Sequence, residues 1–278
     1  MFLSILLFFS ANSFADTYDV KVHCGNDEQA GVKWKFCEYK VPGSNNDSVL
    51  YYLHGLRGDE YEWQNSPNFV KTYGLWGFSA PTVVTLSYGS TWLLAEKNNS
   101  PRSGLYEHFT QIALPAIEKR LNLKPQRRLL MGASMGGFNA SQVYLKNPEL
   151  FAKVSLACPA ITSIGPYDSA EVVAAYQERT GAYDEYVRTA LTISAAYFPD
   201  QASWDKSAPI AQATERVQAS HPPLYVSGGT EDEFGFQEGG ELFAKAARDK
   251  GAQVVWKAVP GLHCSFDVIG NAIFLLTQ

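Results

Sequence analysis

Apolar residues fall into two kinds of run along this chain. Short runs rich in Val, Leu and Tyr recur near 18–24, 34–41, 48–54, 82–88, 127–133, 153–158, 223–228 and 253–259. Among them lie stretches whose apolar residues return with helical period, near 104–121, 136–146, 236–250 and 265–276. Continuous apolar runs bounded by turn residues suit strands buried on both faces, and their alternation with helices means a mostly parallel sheet with helices packed over it. The pattern predicts an α/β fold with a mostly parallel eight-stranded sheet, helices on both faces and the first two strands as an antiparallel edge. One connection, Pro159 to Pro222, is too long for a plain crossover. Helical stretches around 170–179 and 183–197 make it a predicted lid insertion, about 159–222. Its Tyr167, Tyr176, Tyr183, Tyr186, Tyr197, Phe198 and Trp204 suit an aromatic pocket, or equally the packing of the insertion onto the domain.

The turn between the fifth strand and the next helix reads Gly132-Ala133-Ser134-Met135-Gly136. A sharp strand-to-helix turn forces its central residue into a strained conformation and crowds the backbone two positions to either side, which is why glycine is needed there. Such an elbow lifts a serine hydroxyl off the sheet edge. It also sets Ser134 at a helix N-terminus, where free N–H groups face any developing negative charge. Met135 N–H is thus one predicted oxyanion donor.

A serine hydroxyl is a weak nucleophile unless a base and an orienting acid accompany it. In elbow-type serine hydrolases the chain order is Ser, then Asp or Glu, then His. Strand Pro223-Leu224-Tyr225-Val226-Ser227 runs into Gly228-Gly229-Thr230-Glu231-Asp232-Glu233, and the last strand runs into Pro260-Gly261-Leu262-His263. Asp232 is the predicted acid, with Glu231 and Glu233 as competitors, and His263 the predicted base. His23, His108 and His221 are read as structural. Upstream, the strand 49–53 enters His54-Gly55-Leu56-Arg57-Gly58. There Leu56 N–H is the second predicted oxyanion donor and His54 a scaffold residue bonded to loop backbone.

The chain resembles the esterase D, feruloyl esterase and mycolyltransferase group of α/β-hydrolases, the putative esterase family. The resemblance rests on Leu53 to Gly58, on Tyr106-Glu107-His108-Phe109, on the elbow continued by Gly137, on Asn147-Pro148-Glu149-Leu150-Phe151, and on Gly229 to Asp232 with Gly261-Leu262-His263. It covers most of the chain and implies an α/β-hydrolase fold that hydrolyses carboxylic esters, or transfers acyl groups, without a cofactor. Family members place an aromatic beside the acyl site after the fourth strand, so Tyr88 and Trp92 become predicted substrate contacts. Some feruloyl esterases and tannases pair a Cys directly before the nucleophile with one directly after the His. Here Ala133 takes the first place and Cys264 keeps the second.

Composition fits one catalytic domain: 46% hydrophobic and 13% aromatic residues in 278 allow a substantial core. A net charge of −5 offers no basic stripe for nucleic acid, and no phosphate loop or metal-ligand spacing is visible. The expected partner is a small-molecule or polymer-linked ester, with no cofactor, metal, nucleic acid or membrane span in the mature chain. Residues 1–15 have a short apolar core and small residues at Ser13 and Ala15, the shape of a signal peptide ahead of a domain at 16–278. Export to the periplasm or medium gives an even set of cysteines a meaning. Cys24 with Cys37 would tie the first two strands, and Cys264 would meet Cys158 as the His263 loop reaches back toward Ser134. The predicted activity is an exported serine carboxylesterase acting through an acyl-serine. Acyl transfer through the same triad and serine peptidase activity are the alternatives.

Overall fold

β1 (Lys21–Gln29) and β2 (Val32–Lys40) open the fold as a hairpin closed by Ala30 and Gly31, both at positive φ. The computed structural model describes residues 20–125 and 127–277, so the predicted signal segment 1–15 lies outside the described residues. β1 runs five residues past its expected end at Cys24, because an edge strand exposed along nearly its whole length accepts the polar run Gly25 to Gln29. On β2, Trp34 and Phe36 pack into the core on one face of the sheet and Cys37 and Tyr39 into the core on the other, while Lys33, Lys35 and Lys40 are exposed.

β3 (Ser48–Leu53), β4 (Thr82–Ser87), β5 (Arg127–Ala133), β6 (Lys153–Ala157), β7 (Leu224–Gly229) and β8 (Val254–Val259) complete one eight-stranded sheet. Its order is β1-β2-β4-β3-β5-β6-β7-β8. β2 is antiparallel to β1 and to β4, and every later pairing is parallel. β3, β4, β6 and β7 are buried at every residue, whereas β8 at the far edge is only half covered.

Two helical layers account for that burial. One face is covered by α1 (Glu62–Asn65), α2 (Pro67–Trp76) and the last helix, α11 (Val268–Leu276); Trp63, Phe69, Trp76, Ala272 and Leu275 pack there. Asp267 caps α11, accepting Gly270 N–H at 2.9 Å. The other face carries α3 (Leu105–His108), running through a π turn into α4 (Leu114–Arg120), and α5 (Met135–Lys146), α9 (Pro209–Arg216) and α10 (Phe236–Asp249). The long connection between β6 and β7 holds α6 (Ala170–Thr180), α7 (Asp184–Tyr197), α8 (Gln201–Asp205) and α9. Of these, α6 and α7 match the helical stretches predicted from sequence.

Candidate active site

β5 ends where α5 begins, and the residue at the corner is Ser134, with φ 52° and ψ −115°. A non-glycine residue there carries strain of roughly 1–3 kcal/mol. Backbone bonds offset it: Ser134 N–H donates to Ala157 O at 3.0 Å, and Ser134 O accepts Phe138 N–H at 3.1 Å and Ala160 N–H at 2.8 Å. The flanking glycines are steric necessities. A Cβ at Gly132 would lie 2.0 Å from Gly136 O, and one at Gly136 would lie 1.9 Å from Leu53 O.

The loop after β8 returns to this corner. Ser134 Oγ lies 2.8 Å from His263 Nε2, and His263 Nδ1 lies 2.6 Å from Asp232 Oδ2. Asp232 is 2% exposed, and its other oxygen accepts Phe234 N–H at 2.9 Å. A carboxylate so held fixes Nδ1 as the protonated nitrogen and leaves Nε2 free to accept from the serine. Phe234 and Phe236 pack on the imidazole, with centroids 4.7 and 5.4 Å away. Of the competing acids, Glu231 is exposed, while Glu233 Oε2 accepts the backbone N–H of His263 at 2.7 Å. That contact ties the His263 loop to the acid loop, a tie the sequence order does not reveal.

Leu56 and Met135 both border the same cleft as Ser134 and His263. Met135 is the first residue of α5, so its N–H has no carbonyl a turn earlier to donate to. Leu56 N–H has no acceptor among the described residues. His54, fully buried, accepts Trp92 Nε1–H at its Nε2, 3.0 Å away, and donates from Nδ1 to Gly55 O at 2.7 Å. Both ring nitrogens are therefore engaged by scaffold, as expected of a structural histidine.

The predicted contacts Tyr88 and Trp92 need correcting, because neither lines the cleft. Trp92 is 1% exposed and points its indole at His54; Tyr88 O–H pairs with His108 Nδ1 at 3.0 Å. An aromatic after the fourth strand can serve the wall or the core, and here a buried donor for His54 decides for the core. The cleft itself, about 670 Å³, is bounded by α7 through Tyr186, Ala190 and Ile193, and by Phe138, Phe234 and Phe266. Of the seven aromatics noted in the insertion only Tyr186 reaches it, while Tyr176, Tyr197, Phe198 and Trp204 are buried in packing. Phe234 and Phe266 were missed, although their places one to three residues beyond the acidic loop and His263 are a usable signal.

Three histidines outside the Ser134–His263–Asp232 hydrogen-bonded chain share one electrostatic feature. Burial pushes the imidazoles of His54, His108 and His221 below the ordinary value. An unfolded chain protonates them near pH 6.5 while the folded chain resists, so below about 6.5 the unfolded state binds more protons and stability falls with pH. Melting temperature is expected to decline between pH 7.5 and 5.5; a flat profile would contradict the neutral, buried assignment.

Two disulfides are present, Cys24–Cys37 and Cys158–Cys264. The second joins the residue after β6 to the residue after His263, and its Cys264 Sγ lies 3.6 Å from His263 Nε2. Among the described residues, Cys158, His263 and Cys264 alone gather metal-type donors, but the two sulfurs are bonded to each other, leaving one imidazole nitrogen. With a sequence separation of 106 the second bridge is worth about 4–5 kcal/mol in the chain-entropy model, against about 3 for the first with a separation of 13. Cys264→Ser is expected to lower both melting temperature and turnover, and Cys37→Ser melting temperature with little change in turnover. Equal turnover losses in the two variants would show that the second bridge has no special hold on His263.

The sheet order, the elbow and the cleft above it define an α/β-hydrolase. A family model described as "Putative esterase" matches residues 33–272, and the chain belongs to that family of carboxylic ester hydrolases. Comparison with curated proteins finds no match. Among solved structures, a ferulic acid esterase superposes with a TM-score of 0.67 at 17% identity, covering 93% of this chain and 95% of its own. Brefeldin A esterase, a bacterial homologue of human hormone sensitive lipase, gives 0.67 at 18% over 98% of this chain and 77% of its own. A thermostable esterase from Pseudomonas putida ECU1011 gives 0.62 at 17% over 95% and 81%. At such identities the likeness establishes the fold.

Proposed function

We propose that the protein is an exported serine carboxylesterase in which Ser134, His263 and Asp232 form the catalytic triad. The observation that carries the reading is the hydrogen-bonded chain from Ser134 Oγ through His263 to Asp232, at 2.8 and 2.6 Å, opening on the cleft. Ser134 Oγ attacks the ester carbonyl as His263 Nε2 takes its proton. The oxyanion that forms is held by the Leu56 and Met135 N–H groups, in a position where two backbone donors stabilise charge that the ground state lacks. His263 then protonates the departing alcohol, leaving an acyl-Ser134, and activates a water that releases the acid. Asp232 keeps the imidazole in the required tautomer. The segment 159–222, through α7, forms the wall over the acyl group.

Export is the second part of the proposal. The leader-like residues 1–15 and the two formed disulfides support it, and no helix among the described residues is long and apolar enough to cross a membrane. The reading is tested by an ester panel with product analysis in the presence of added alcohols, together with fractionation of expressing cells. Free acid as the product, and a protein starting at Asp16 outside the cytoplasm, are expected. Acyl transfer to the added alcohol as the dominant outcome would replace hydrolysis with transferase activity.

A further inference from the structure

Glu62 closes the run Asp59-Glu60-Tyr61-Glu62 and is the first residue of α1. It is half-buried, borders the cleft, and brings both carboxylate oxygens to the backbone N–H of Gly55, at 3.1 and 3.2 Å. Tyr52 O–H donates to Oε1 from below, off the end of β3. The carboxylate fits only because residue 58 is glycine: a Cβ there would lie 2.0 Å from Glu62 Oε2.

We infer that Glu62 is a positioning residue of the oxyanion hole, holding the Gly55 peptide so that Leu56 N–H faces Ser134. The inference rests on the serine-esterase reading above. Its basis is the planarity of the peptide bond: Gly55 C=O and Leu56 N–H share one trans plane and point opposite ways. Gly55 O is fixed on the far side by His54 Nδ1–H at 2.7 Å and Gly58 N–H at 3.1 Å. That sets one plane. The preceding plane, which carries Gly55 N–H, is set by Glu62 alone among side chains. A residue without Cβ has no steric preference to hold the two planes at a given angle, so Gly55 needs both clamps. A Cβ on Gly55 would lie 3.5 Å from Ser134 Cβ and 3.8 Å from Glu62 Oε2, which places this peptide between the carboxylate and the nucleophile. A carboxylate is an uncommon neighbour for a developing oxyanion, since like charges repel. Here both oxygens are already engaged by donors, and the charge strengthens the bond to Gly55 N–H beyond what a neutral acceptor gives.

The test compares Glu62→Ala and Glu62→Gln with the wild-type chain in ester hydrolysis and in binding of a trifluoromethyl ketone, which forms the same oxyanion. Losing one oxyanion donor outright costs on the order of 10²–10³ in turnover, so a misoriented donor in Glu62→Ala is expected to cost roughly 10- to 100-fold in kcat. KM should stay within about twofold, and ketone affinity should fall by the same factor as kcat. Glu62→Gln, which keeps a neutral acceptor, should fall between the two. A merely structural role would not weaken the ketone in step with kcat. Wild-type kcat in Glu62→Ala, or a raised KM with kcat and ketone affinity intact, overturns the inference. If Glu62→Ala does not fold, Glu62→Gln carries the same comparison, and unchanged ketone affinity in it overturns the inference too. A wild-type chain that neither hydrolyses esters nor binds the ketone brings down the serine-esterase reading itself, a result distinct from either.

Discussion

Replacing Ser134 by alanine is expected to lower ester turnover by roughly 10⁴–10⁶ while leaving the fold intact. The size of the effect follows from the chemistry. Without the hydroxyl no acyl-enzyme forms, and what remains is the modest catalysis of the oxyanion donors and of binding. The fold should survive because the backbone at position 134 is held by bonds to Ala157, Phe138 and Ala160, none of which uses the side chain. Alanine also bears the positive φ no worse than serine does. Circular dichroism and melting temperature should match wild type, and labelling by a fluorophosphonate should vanish. Residual turnover above a few per cent, in a preparation free of wild-type enzyme, would remove Ser134 from its role.

The next largest loss is expected from Asp232→Asn, at about 10⁴ in kcat. An amide at that place presents an N–H to Nδ1 and drives the imidazole into the tautomer with its proton on Nε2, where it can no longer accept from Ser134. The neighbouring acids supply the control. Glu231 is exposed, and Glu233 contributes an acceptor for His263 N–H that a glutamine oxygen can replace. Glu231→Gln and Glu233→Gln should each cost less than about tenfold, since they leave the buried carboxylate at Nδ1 in place. Steady-state kinetics on the three variants checks the order, and a Glu233→Gln loss as deep as that of Asp232→Asn would mean that the wrong acid has been assigned.

Much of the scaffold was legible because the sheet centre is buried on both faces. β3 to β7 read as short, mainly apolar runs, and the elbow announced itself through glycines that no side chain could replace. The order of serine, acid and histidine then singled out Asp232 and His263 without any contact being known. What escaped was decided by tertiary packing. α2 spans ten residues, contains Gly74 and carries aromatic and β-branched residues of low helix propensity, so nothing local marks it. Its burial against α11, with Trp76 Nε1–H donating to Ala272 O at 2.9 Å, is what forms it. Trp92 was placed in the cleft by resemblance and sits in the core, because the sequence does not show that His54 needs a buried donor. Glu62 hid in an acidic run, and only the fold turns it toward Gly55.

The most direct test of the central claim is to quench the enzyme during turnover of an activated ester and weigh the peptide containing Ser134. Acid quenching within the first turnovers should trap the acyl group on that peptide, with the mass increment of the acyl chain used and with fragment ions assigning it to Ser134. The adduct should be absent from Ser134→Ala and should accumulate in slowly deacylating esters. Turnover without any covalent adduct, or an acyl group on another residue, would contradict the account.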